Sequence, residues 1–239
     1  MKRQNEWFET FDKHLWLKGD EGAEREAAFV KRALRLRRGS RVLDVPCGAG
    51  RILVHLAKAG CEATGVDRMP EFVERAKARL KSEGAKGRVL VSDMRTITFD
   101  GEFDAVYNWG GSFGYFTDAE NVDVLRRFAR ALRSGGRVLV DQPNREFYLR
   151  HWMHERRFER GILKNIWDAQ SQRSRSEWAL TSGGEGTSLS LMRLYTQGQF
   201  RQIFEEAGLV VEAMYGDLDG GEYYRGSKRI HVVGRKAAR

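Results

Sequence analysis

Two cysteines in 239 residues cannot build a disulfide framework. Cys47 falls in a glycine turn and Cys61 begins a predicted strand, so a reduced, cytoplasmic setting is expected. The five histidines are scattered and none forms a close cluster with cysteine, so no metal centre is expected. No apolar run approaches the roughly 18 residues that a membrane helix needs. The opening stretch MKRQNEWFETFDKHLW has no apolar core and no small-residue cleavage site, so no secretory signal is expected. Internal repeats and low-complexity segments are also missing. What is present is a globular composition, 41% hydrophobic and 31% charged. A chain of this length makes one large α/β domain or two small ones.

Acidic residues are the scarcer charge, 33 Asp and Glu against 42 Lys and Arg, for a net charge of +9. Such an excess makes nucleic acid a partner to weigh. The basic residues are spread along the chain, however. Their densest run is Lys31, Arg32, Arg35, Arg37, Arg38 and Arg41, at the end of a predicted helix. Cations there make a solvated face and suit the negative pole of a helix C-terminus.

The pattern is organised around Arg41 to Arg51, RVLDVPCGAGR. An apolar, β-branched run passes through Pro46 and Cys47 into Gly48-Ala49-Gly50. Amphipathic spacing follows at Ile52, Leu53, Leu56 and Ala57. That is strand, glycine turn, helix. Glycines let the backbone turn sharply and let a ligand approach the main chain. Free N–H groups at the helix start then face that ligand.

Before this unit, Trp7, Phe8, Phe11 and Trp16 have the spacing of a short amphipathic helix over 5–17. Trp16 is the candidate to close over a bound ligand. A second helix is predicted over 22–37, stopped by Gly39. After it, strands are predicted at 61–66, 88–92, 103–108 and 137–141, with helices at 51–59, 70–81 and 118–133. Strands alternating with helices at short spacing predict a parallel sheet with helices on both faces. The alternation breaks after Asn144. A helical, aromatic segment is predicted over 145–155. Three short strands follow, near 162–168, 173–180 and 188–194, with a turn at Ser182-Gly183-Gly184. A helix at 197–207 and strands at 209–215 and 229–234 close the sheet.

Four features fall at the C-terminal ends of predicted parallel strands: the turn 47–50, Asp67, Asp93-Met94, and Asn108-Trp109. Ligands of open α/β sheets bind there. Asp67 lies about 20 residues beyond the glycines, where a ribose-binding acid belongs in a βαβ nucleotide unit.

The motifs LDVPCGAGR, GVDRMPEFVERAK, SDMR, NWGGSFGYF, ALRSGGRVLVDQPN and LYTQGQFRQIFEEAGLVVE together resemble the class I S-adenosylmethionine-dependent methyltransferases. The pieces SDMR, SFGYF and LYT are similar to the small-molecule branch, including sugar N-methyltransferases with a β-sheet lid. The resemblance implies a Rossmann-like, doubly wound sheet, mostly parallel, with the last strand antiparallel and inserted beside the fifth. It implies an organisation of N-terminal helices over 1–40 capping the site, a methyltransferase domain over 41–142 and 196–239, and an inserted lid over 143–195. It implies S-adenosyl-L-methionine as cofactor, lying over Cys47, Gly48 and Gly50, with Asp44 and Trp16 bordering it. Asp67 would hold the ribose hydroxyls with Arg68 beside it. Asp93 would accept from the adenine amino group with Met94 against the ring. The carbonyl of Asn108 or Trp109 would meet the methionine end.

The implied enzyme transfers a methyl group to a small-molecule acceptor, at nitrogen or oxygen, by in-line displacement. It must chiefly align the acceptor and exclude water. Tyr115, Asn144 and Tyr195 are candidates by position for acceptor-side chemistry, and His151 and His154 lie in the inserted segment. An RNA methyltransferase is the alternative that the charge favours. The N/D-P-P-Y/F/W motif of many nucleic-acid amino-methyltransferases is replaced by NWGG, which weighs against it. A non-catalytic cofactor-binding protein is the third reading, and a membrane partner is not expected.

Overall fold

A computed structural model of the chain describes residues 19–158, 161–180 and 187–237. The expected helix at 5–17, Trp16 and the turn at 182–184 lie outside the described residues.

The first strand, β1 (Arg41–Asp44), is buried over its last three residues. It pairs in parallel with β2 (Glu62–Asp67) and with β4 (Phe103–Asn108). Central strands buried on both faces read as near-continuous apolar runs, which is what Val42-Leu43 and Ala105-Val106-Tyr107 supply. β2 pairs in parallel with β3 (Gly87–Val91), and β4 with β5 (Leu132–Pro143). The seven-stranded order is β10-β11-β5-β4-β1-β2-β3. Here β10 is Leu209–Tyr215 and β11 is Arg229–Lys236, and β11 runs antiparallel to both of its neighbours. This is the expected order with the expected antiparallel strand. The chain moves outward from β1 to β3, then returns to the other side of β1 as β4. The switch point of the sheet therefore lies between β1 and β4.

One face is covered by α1 (Ala23–Ala33), α2 (Leu53–Lys58) and α3 (Pro70–Ser82), which bury Phe29, Val30, Leu53, Val73 and Leu80. The other is covered by α4 (Asp118–Ala131) and α6 (Gln197–Glu206), which bury Leu125, Phe128, Phe200 and Phe204. Both of these helices begin with a capping box, Thr117 with Glu120 and Thr196 with Gln199. Helix α1 stops at Ala33, earlier than expected. The reversal falls at Arg35, whose φ of 56° occupies the left-handed region that glycine usually fills. Strand β5 starts earlier than expected, because Leu132 already pairs with Phe103 before a register shift.

The segment after β5 forms a short helix, α5 (Arg145–Arg150), and a separate antiparallel sheet in the order β6-β7-β8-β9. Its strands are Glu155–Phe158, Gly161–Asp168, Arg173–Leu180 and Thr187–Arg193. Four strands replace the expected three. The extra one, β6, is a four-residue edge strand with Glu155, Arg156 and Arg157 exposed, so it carries no apolar alternation to betray it.

This second sheet is anchored to the loop after β4. The Arg193 N–H donates to the Gly114 carbonyl at 2.7 Å. Gln142, near the end of β5, donates to the carbonyls of Phe113 (3.1 Å) and Arg193 (2.8 Å) and accepts from the Tyr195 N–H at 2.9 Å. Gly114 has φ 99°, and a Cβ there would sit 2.3 Å from the Arg193 carbonyl oxygen. Only glycine fits this junction.

Candidate functional site

The turn after β1 continues the sheet before leaving it. Val45 N–H donates to Tyr107 O at 3.0 Å and Cys47 N–H to Val66 O at 2.9 Å. Gly48 then takes φ 53° and Gly50 φ 75°. The two glycines are needed for different reasons. A Cβ on Gly50 would meet Ala76 Cβ at 3.0 Å, so α3 packs against the turn there. A Cβ on Gly48 would meet nothing within 4 Å. Its open side belongs to a cavity of about 210 Å³, bounded by residues 44–49, 67–69, 92–94 and 109–110, with Ser112, Tyr115 and Phe116.

The strand-end residues meet in this cavity. Asp67 is 5% exposed. Its Oδ2 accepts from the Gly48 N–H and its Oδ1 from the Met69 N–H, both at 2.9 Å. Burial raises its pKa, and those two N–H groups oppose the rise. Each oxygen keeps further lone-pair capacity. Asp93 lines the same cavity, but its carboxylate is already forked by Arg95, with Nη2 at 2.7 Å and the backbone N–H at 2.8 Å. Burial works to raise its pKa; the Arg95 contacts outweigh burial and hold it below the usual carboxylate value. Arg68 and Met94 also line the cavity.

Asp44 is buried at the floor and accepts from the Tyr107 hydroxyl at 2.6 Å. Burial pushes its pKa well up. The Cys47 thiol, also in the lining, is pushed up by burial and by Asp44 and Asp67, so it is an apolar wall rather than a thiolate. Asn108 is fully buried behind the lining, where its Nδ2 donates to the Val45 carbonyl at 2.8 Å. Its Oδ1 has no hydrogen-bond partner among the described residues.

Trp109 forms a wall of the cavity and is held from behind. Its Nε1 donates to Glu26 Oε2 at 2.7 Å. Its ring stacks on His231 at 5.2 Å and 7° and leans on Phe29 at 5.9 Å. The next N–H, on Gly110, donates to Asp141 Oδ2 at 2.8 Å. Asp141 is gripped by Arg229 through two bonds of 2.6 Å. His231 Nδ1 lies 3.1 Å from Asp141 Oδ1, out of line for a hydrogen bond. Burial acts to raise the Asp141 carboxyl, but Arg229 and His231 hold it far below the usual range. Sequence reasoning missed Glu26, Arg51, Asp141, Arg229 and His231. Two signals were available: Asp141 sits near the end of β5, and Arg229 and His231 alternate with Ile230 and Val232 at the start of β11.

Of the acceptor-side candidates, only Tyr115 lies in the cavity, and burial pushes its hydroxyl up to about 12. Asn144 is 1% exposed and caps α5. Its Nδ2 donates to Ser227 O (2.7 Å) and Arg225 O (3.2 Å), and its Oδ1 accepts from Glu146 N–H (3.0 Å) and Tyr223 OH (2.9 Å). Tyr195 is 2% exposed, away from the cavity, with its hydroxyl 3.0 Å from Asn121 Nδ2. His151 is bonded to Phe147 O, and His154 accepts from Trp152 Nε1, both on the exposed end of the inserted segment. Among the described residues there is no group of three metal-ligating side chains, and no helix is long and apolar enough to cross a membrane.

A glycine turn and two strand-tip acids around one cavity, on a sheet with an antiparallel strand inserted beside β5, define the class I methyltransferase fold. Residues 42–136 match the family described as a methyltransferase domain. A dTDP-3-amino-3,4,6-trideoxy-alpha-D-glucopyranose N,N-dimethyltransferase of Streptomyces venezuelae is 26% identical over 82% of this chain and 86% of its own. The ubiquinone/menaquinone biosynthesis C-methyltransferase UbiE of Geobacter sp. (strain M21) is 30% identical over 47% of this chain and 49% of its own. The CcbJ methyltransferase of Streptomyces caelestis superposes with a TM-score of 0.78 at 17% identity, covering 92% of this chain and 99% of that one. That superposition carries the fold. The chain spans about half the length, or less, of several curated relatives that it matches at 30% identity or more. Residues 42–136 therefore make up a methyltransferase domain on the class I fold, and similar solved structures include the amino pentose methyltransferase CalS10 of Micromonospora echinaspora with S-adenosylmethionine bound.

Proposed function

We propose that this protein transfers a methyl group from S-adenosylmethionine to a small-molecule acceptor. One observation carries the reading: Asp67 and Asp93, from the tips of neighbouring strands, share a cavity with the open side of Gly48. The residues fit the donor. Asp67 has lone pairs left for two ribose hydroxyls, and the Gly48 side of the turn leaves room for a nucleoside. Met94 and Phe72 give apolar surface for an adenine ring. Arg51 lines the cavity with Nη1 unpartnered among the described residues, which suits a carboxylate. When bound, the donor supplies a methyl group already activated by its sulfonium. What is left to the chain is to hold the donor, align the acceptor and exclude water.

We assign the inserted segment 143–195 to the acceptor side, as a cover over the cavity. Its support is the junction of Arg193 with Gly114, next to Ser112, Tyr115 and Phe116 of the cavity wall. A nitrogen acceptor suits this site better than a hydroxyl. A neutral amine can attack without a strong base, whereas a hydroxyl needs one. Tyr115 stays protonated at neutral pH and cannot act as that base from its phenolate form. The Streptomyces venezuelae relative named above is an amino-sugar N,N-dimethyltransferase, and two similar solved structures are the sugar N-methyltransferase KedS8 and the amino pentose methyltransferase CalS10. An amino sugar is therefore the first acceptor class to try.

The test is calorimetric titration with S-adenosylhomocysteine, followed by a mass-shift assay of amino-sugar acceptors with the methyl donor. Saturable binding with a Kd on the order of micromolar, about −8 kcal/mol, and a gain of about 14 Da per transfer, a methyl replacing a hydrogen, are expected. Absence of nucleoside binding would sink the reading. Methylation confined to RNA, with binding that falls steeply as salt rises, would move it to the nucleic-acid branch.

A further inference from the structure

We infer that Glu26 is a positioning residue: it clamps the two turns that flank the switch point, and so sets the walls at the methionine end of the donor cavity. The inference rests on the methyl-donor reading above.

Glu26 lies in the first turn of α1 and does not line the cavity. One of its carboxylate oxygens, Oε2, accepts from two side chains that do. One is Arg51 Nη2, the residue directly after Gly50. The other is Trp109 Nε1, directly after β4, at 2.7 Å. The two turns belong to β1 and β4, which are neighbours in the sheet and lie on opposite sides of its reversal. A ligand bound at a switch point touches both turns, so their separation is the width of its seat. Among the described residues no hydrogen bond joins the Arg51 side chain directly to Trp109. Glu26 is what couples them.

The clamp is shielded and held in place. Side-chain exposure is 12% for Arg51 and 23% for Glu26, so the ion pair is screened far less than a surface pair. Helix α1 is tied down by Arg25 to Asp219 at 2.8 Å and by Arg32 to the Leu218 carbonyl at 2.6 Å. Stacking on His231 fixes the plane of the Trp109 ring, and the Glu26 bond fixes its rotation within that plane. Glu26 also engages one nitrogen of Arg51, whose other terminal nitrogen, Nη1, is buried without a hydrogen-bond partner among the described residues.

A residue that merely packs α1 onto the body would alter stability and leave the affinity of the folded protein alone. The full chain is therefore titrated with S-adenosylhomocysteine at 25 °C as wild type, Glu26→Ala, Glu26→Gln, Trp109→Phe and the Glu26→Ala/Trp109→Phe double variant, each with a circular-dichroism melt. Trp109→Phe removes the N–H and keeps an aromatic ring over His231. Glu26→Ala is expected to weaken binding about tenfold or more, and Glu26→Gln less, because its amide oxygen still accepts from Trp109. The Glu26→Ala effect should shrink in the Trp109→Phe background, as coupled neighbours require. Wild-type affinity in Glu26→Ala, or strictly additive losses, would overturn the clamp while leaving the donor reading intact. A wild-type protein that does not bind the nucleoside overturns both. If Glu26→Ala does not fold, the isosteric Glu26→Gln decides, since a clamp predicts a measurable loss of affinity and a packing role predicts none.

Discussion

Truncating Asp67 to alanine removes a carboxylate that does two things at once. Within the protein it ties the Gly48 and Met69 N–H groups, each at 2.9 Å. Toward the cavity its remaining lone pairs would, on the proposed reading, serve a ribose. A hydrogen bond to a charged group contributes about 1.5–3 kcal/mol, and each 1.4 kcal/mol is about tenfold in affinity. Loss of the ribose contact therefore predicts about 10- to 100-fold weaker binding of S-adenosylhomocysteine by calorimetry. Unchanged affinity in a folded Asp67→Ala protein would remove Asp67 from the ribose role.

The pH dependence tests the same residue independently. Burial raises the Asp67 pKa in the folded chain. The stability this group contributes is complete below its unfolded pKa and is lost as pH rises through the folded value. Donor binding runs the other way, because ribose hydroxyls donate to the ionised form. Affinity should rise with pH through the raised pKa of Asp67, with a fraction of a proton released per binding event on the acid side. Asp67→Ala should flatten that slope. Asp44, also raised, leaves a residual dependence. An identical pH slope in wild type and variant would refute the assignment.

Two further substitutions probe the glycines. Gly48→Val places a β-branched side chain in the cavity at φ 53°, where an L residue costs about 1–2 kcal/mol; the chain should fold, with a modestly lowered melt, and show no nucleoside binding by titration. Normal affinity would mean that the donor does not lie over this turn. Gly114→Ala forces a Cβ to within 2.3 Å of the Arg193 carbonyl oxygen and should lower the melting temperature by several degrees or more. An unchanged melt would mean that the second sheet is not clamped at this loop.

The parts of the site that could be read from the chain are local. Gly48 and Gly50 announce a left-handed turn because few other residues hold positive φ, and Asp67 and Asp93 follow strands short enough to count along. The sheet order came from resemblance, since nothing in the periodicity of 209–215 or 229–234 says that the last strand inserts next to β5. Asn144 illustrates the limit. Its place just beyond β5 suggests chemistry, yet both ends of its amide are spent on capping α5 and holding residues 223–227. Arg35 illustrates another: a helix end marked by arginine at φ 56° carries no glycine signal, so the helix reads as longer than it is.

The support behind Trp109 escaped for a physical reason that bears on function. Asp141 and His231 face each other only because β11 pairs antiparallel with β5 in that register. Glu26 reaches Trp109 across 83 positions of chain. A ligand-touching residue can be placed by its own turn, because the turn's backbone geometry is set within a few positions. A residue that fixes the distance between two turns must bridge elements that the fold alone brings together. Adjusting such a bridge moves both walls of the cavity without touching the donor's own contacts. Variation at Glu26, Asp141 or Arg229 should therefore change the fit of the methionine end while the Asp67 end keeps its grip. Among variants at these three positions, a loss of S-adenosylhomocysteine affinity with adenosine affinity retained is the pattern this division requires.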